Sequence, residues 1–185
     1  MDQRVCAFTG HRPSHFAFGY QEAHPDCIRI KNAIGLAITS LADRGVTTFI
    51  SGMAQGVDLW AAREVLKQQG QKDLRLITVQ PCSNQADRWP ESFRYEYNEI
   101  LLLSDERVCL HETYTPYCMM ERNRWMVDHA DILLAVYDGG NSGGTASTVR
   151  YAQSKKREIW LLDPKTLLLV QLKPPEEDEQ LFFQL

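Results

Sequence analysis

The chain reads as an α/β protein: a doubly wound, mainly parallel Rossmann-like sheet flanked by helices. Three observations predict this. Five short runs rich in β-branched and aromatic residues mostly do not alternate in polarity, as suits strands covered on both faces of a parallel sheet. Segments with apolar residues at helical spacing lie between them, which means βαβ units with right-handed crossovers. Three of the segments that follow strands are rich in glycine or in Gly, His and Arg, and the carboxyl ends of strands are where such sheets bind ligands.

Residues 5–9 form the first strand. A helix follows, with Ile28, Ala33, Ile34, Ala37, Ile38 and Leu41 recurring on one face; Pro25 and Asp26 mark its start and Gly45 its stop. Residues 47–51 are the second strand, and 57–69 are a helix closed by Gly70. Residues 74–79 make the third strand, and 92–103 carry Phe93, Tyr97, Ile100 and Leu101 on one stripe. A weaker strand, 107–110, precedes a helix over 119–129. Strand 131–137, helix 145–155 and strand 158–162 complete the series, so one domain spans residues 1–164. Residues 165–185 form a tail. In it, 166–172 add an edge strand or pack on the body, 174–179 are a charged solvated linker, and Leu181, Phe182 and Phe183 offer an apolar foot.

The totals narrow the function. A chain of 185 residues can bury a core without staples or metals. A net charge of −4 gives no general attraction for nucleic acid or anionic lipid. The five cysteines form no CxxC pair, and Cys6, Cys27 and Cys109 sit in apolar runs, so they read as buried thiols. The start MDQRVCAFTGHRP lacks a signal peptide's apolar core, and no run approaches the length of a membrane span. The expectation is a cytoplasmic protein without a membrane association.

The chemistry is expected at three strand ends. After the first strand, Gly10 allows close backbone approach, Arg12 can grip a phosphate or carboxylate, and His11 can donate or shuttle a proton. The alternative is a tight turn whose Arg pairs with a nearby acid. After the second strand, Ser51 and Gly52 turn the chain, Gly56 starts the helix close to the sheet, and Asp58 reads as a helix cap. After the fifth, Asp138, Gly139, Gly140, Ser142, Gly143, Gly144 and Thr145 lead into a helix whose first N–H groups and dipole make an anion site; the alternative is a flexible turn. No Lys follows these glycines, so a Walker-type ATPase is excluded. Arg122 and Arg124 reach the same crevice or lie on a solvated helix face. His111-Glu112 begins like HExxH, but Thr115 stands where the second His is needed, and no metal site is expected.

Taken together, the TGHRP start, the SGMAQGVD–WAA stretch, Arg122-Asn123-Arg124 and the GGNSGGT loop resemble the SLOG superfamily of DprA (Smf) and LOG proteins, and within it the YpsA-like family, over residues 4–163. The resemblance implies a Rossmann-like sheet and a ligand derived from nucleotides, related to NAD, ADP-ribose or AMP. LOG-type phosphoribohydrolases carry a glutamate after the glycines, where this chain holds Thr148. A carboxylate there would stabilise an oxocarbenium-like state, so the expectation is a non-catalytic sensor or regulator needing no cofactor. One alternative is a nucleosidase or phosphoribohydrolase using Glu121, His11 or Asp138. Another is DprA-like binding of single-stranded DNA, which the acidic balance disfavours. A homodimer is consistent with the apolar tail and with the SLOG habit.

Overall fold

The computed structural model describes residues 4–172. Seven strands form one sheet: β1 (Arg4–Gly10), β2 (Val46–Ser51), β3 (Arg75–Gln80), β4 (Glu106–Cys109), β5 (Ile132–Val136), β6 (Glu158–Leu162) and β7 (Leu169–Leu172). Their order is β4-β3-β2-β1-β5-β6-β7. Every pairing is parallel except β6 with β7, which is antiparallel. The chain thus walks outward from β1 to β4, then returns to β5 on the other side of β1. The β1/β5 junction is the switch point where such sheets open a crevice.

Five helices cross over: α1 (Pro25–Asp43), α2 (Val57–Gln68), α3 (Glu91–Leu103), α4 (Cys118–Asp128) and α5 (Gly143–Ser154). Because alternate strand residues face opposite ways, the strands feed two separate cores. Cys6, Phe8, Phe49, Leu76, Leu134 and Trp160 pack with α1, α2 and α3 on one face. Ala7, Ile50, Val79, Leu133, Ala135 and Ile159 pack with α4 and α5 on the other. Burying a side chain such as Phe49 or Leu133 contributes about 1.5–3 kcal/mol, so two-sided burial explains why these strands are apolar throughout. Helix α1 begins at Pro25, and the His24 side chain caps it by accepting from Asp26 N at 3.2 Å.

One sequence expectation changes and another is narrowed. Cys109 is exposed, because β4 is the sheet's edge and of its four residues only Val108 packs against a core. Of the tail, 169–172 are an antiparallel edge strand, while the acidic linker and the Leu181–Phe183 foot lie outside the described residues. Among the described residues no helix is long and apolar enough to cross a membrane.

Candidate functional site

The register pairs Gly10, the last residue of β1, with Val136, the last of β5. Directly above that pair opens a crevice of about 460 Å³. Gly10, His11 and Arg12 after β1, Gly144 and Thr145 of α5, and Asp58 and Arg122 all line it. Arg12 is exposed to it. Helix α5 opens at Gly143 with no side-chain cap from Ser142, and the first N–H groups of a helix lack intrahelical acceptors. A Cβ on Gly144 would meet nothing within 4 Å, which is what open space over an anion site requires.

The loop between β2 and α2 builds the back of this crevice. Ser51 Oγ donates to Asp58 O at 2.8 Å and accepts from Met53 N at 3.2 Å. Met53 holds a left-handed backbone, φ 59°, and its carbonyl accepts from Gln85 at 3.0 Å. Asp58 accepts from Ala54 N at 3.3 Å and lies 3.7 Å from the Arg122 guanidinium. Burial pushes the Asp58 carboxyl above its ordinary range, and Arg122 and Arg12 oppose that shift. Arg122 is 3% exposed and also donates to Gly52 O. A Cβ on Gly52 would collide with the Arg122 guanidinium, so glycine is what lets that side chain reach the carbonyl.

His11 is buried beside the crevice, and its Nε2 lies 3.0 Å from Asp138 Oδ1. His15, on the short 3₁₀ turn Pro13–His15, places Nε2 at 3.1 Å from Asp138 Oδ2. The two imidazole rings stack at 3.5 Å, nearly parallel. Burial lowers the His11 pKa despite its carboxylate partner, whereas the hydrogen bond from His15 leads in holding Asp138 down to about 2. At neutral pH Asp138 is therefore an ionised carboxylate that accepts from a neutral, donating His11.

The crevice brings together Gly10, His11, Arg12, Arg122, Gly144 and Thr145 from the sequence-predicted set. Ser51 and Gly52 instead fasten the loop behind it. Asp138 stands next to it through His11. Gly139, Gly140 and Ser142 lie on the exposed loop, where Tyr137 OH donates to Gly140 O. Gly143 borders a neighbouring hollow of about 600 Å³ between α4 and α5, with Arg124, whose guanidinium lies over the Tyr151 ring. Glu121 pairs with His111 and is not among the residues lining the crevice. Thr148 is buried; its hydroxyl donates to Gly144 O at 2.8 Å and accepts from Asn123 Nδ2 at 3.0 Å. Sequence reasoning missed His15 and Asn123. Asn123 stands within the Arg122-Asn123-Arg124 stretch, but nothing in the spacing pairs His15 with an aspartate 123 residues away.

A sequence model of the YspA SLOG family matches residues 6–167. A UPF0398 protein of Bacillus cereus strain G9842 is 30% identical over 180 residues, covering 96% of this chain and 97% of its own length. UPF0398 proteins of Bacillus thuringiensis strain Al Hakam and Bacillus cereus strain AH187 match to the same extent. With the switch-point crevice, the two glycine loops and a match across nearly the whole described sheet, the chain belongs to the YspA SLOG family.

Proposed function

We propose that this protein binds a nucleotide-derived ligand of the ADP-ribose, NAD or AMP kind by its phosphate, and acts as a sensor rather than as an enzyme. The observation that carries this reading is the meeting of Arg12 and the uncapped start of α5 across one crevice at the switch point. Arg12 offers a two-pronged cationic grip, and the Gly144 and Thr145 N–H groups offer aligned donors. The ligand's phosphate sits between them, and Asp58 remains engaged with Arg122 behind it.

Calorimetry with ADP-ribose, NAD and AMP tests the proposal. Arg12→Ala weakens binding by about 1.5–3 kcal/mol, the usual worth of a hydrogen bond to a charged group, or roughly 10- to 150-fold. Gly144→Asp puts a carboxylate where the phosphate lies and abolishes binding. Its side chain enters open space, so the circular dichroism spectrum stays that of the wild type. Binding by both variants at wild-type strength would show that the crevice is not the ligand site.

A further inference from the structure

We infer that His11, His15 and Asp138 form a binding site for a first-row transition dication such as Zn²⁺ or Co²⁺. This inference does not depend on the nucleotide reading. One ligand atom from each of the three residues can be chosen so that all lie within 4.8 Å of one another. The two nitrogen–oxygen separations are 3.0 and 3.1 Å. In a tetrahedral shell with bonds of about 2.0–2.2 Å, neighbouring ligand atoms lie about 3.3 Å apart, so small side-chain rotations would admit an ion. Two imidazoles and one carboxylate are the donor set that suits such ions, and they leave an open coordination position.

The scaffold holds these groups just past the ends of two hydrogen-bonded strands. His11 follows β1 directly, His15 sits one tight turn later, and Asp138 lies two residues past β5, whose end is in register with that of β1. Both histidines line the crevice, while His15 and Asp138 also border a second cavity of about 350 Å³. An ion here is therefore reachable by solvent and by a ligand. The ring stacking and the shared carboxylate point both Nε2 atoms inward. On binding, each ring carries its remaining proton on Nδ1 and presents the Nε2 lone pair to the ion. One ion then takes the place of two Nε2–H···carboxylate bonds.

The experiment is titration of the full-length protein with Co²⁺ alone, read by visible absorption and calorimetry, followed by displacement with Zn²⁺. One equivalent binds and gives ligand-field bands without a thiolate-to-cobalt charge-transfer band, because no cysteine takes part. His15→Ala, at a half-exposed position that leaves the core intact, weakens binding at least tenfold, as does Asp138→Asn. His111→Ala, at the exposed His111–Glu121 pair, leaves it unchanged. No stoichiometric binding, undiminished binding by His15→Ala, or a thiolate charge-transfer band would each overturn the site.

Discussion

At Gly10 a Cβ would lie 2.5 Å from both Cβ and Cγ1 of Val57, the first residue of α2. The clash is with an atom fixed to the helix backbone, so relief requires α2 to back away from the sheet. Gly10→Ala should lower stability by about 1–3 kcal/mol through overpacking, measured as a shift of the urea midpoint at constant slope. An unchanged midpoint would mean that α2 yields freely. The residue type at this position was legible in the sequence, but only one of its reasons was. Glycine after a strand signals close approach; whether it approaches a ligand or a valine depends on α2 folding over it. Ser51 and Gly52 carry the same lesson. Their spacing resembles a ligand loop, yet one fastens Asp58 and the other accommodates Arg122. Arg122 was half legible: its stretch read equally as reaching the crevice or as a solvated helix face, and only the fold shows it buried against Asp58 and Gly52.

Elements were the most readable level. Two-sided burial makes strands apolar throughout, and helix stripes, Pro25 and the stop glycines set boundaries within a few residues. Strand β4 was the weakest reading for a physical reason: it lies at the edge and buries little. The pairing between helices was not readable, and it decides what Thr148 does. Its hydroxyl straps the α5 start to Asn123 of α4, so the position that carries a glutamate in LOG-type enzymes here serves as a buried hydrogen-bond hub. The protein should therefore release no free base from AMP, assayed by chromatography over long incubation. Thr148→Glu should not gain turnover. It puts a larger, charged carboxylate at a buried position and removes the hydroxyl that donates to Gly144 O, costing about 1–3 kcal/mol. Robust hydrolysis by the wild type would refute the sensor reading at this step.

For the molecule as a whole, the linkage between protonation and folding has a definite sign. Burial holds the folded His11 pKa below its ordinary 6.5. As pH falls from about 6.5 toward the lowered folded value, the unfolded chain therefore takes up a proton that the folded one excludes. The unfolded state binds more protons in that window, so stability is fully present above it and declines as pH falls through it. Asp138, held down to about 2 from 3.8, adds a second loss at lower pH, from about 4 downward, as its carboxylate is protonated. Both groups act in the same direction, and acid should loosen the β1/β5 end of the sheet where they meet. Urea unfolding at pH 7, 6 and 5 should show the midpoint falling with pH. His11→Gln removes the titrating ring, so its midpoint should fall less steeply over that range, whatever its absolute stability. Making the same comparison in a His15→Ala background removes the ring stacked on His11, so the difference in slope then isolates His11. Parallel curves for the two proteins would show that His11 titrates alike in the folded and unfolded chain, and that the crevice wall is wetter than its burial implies.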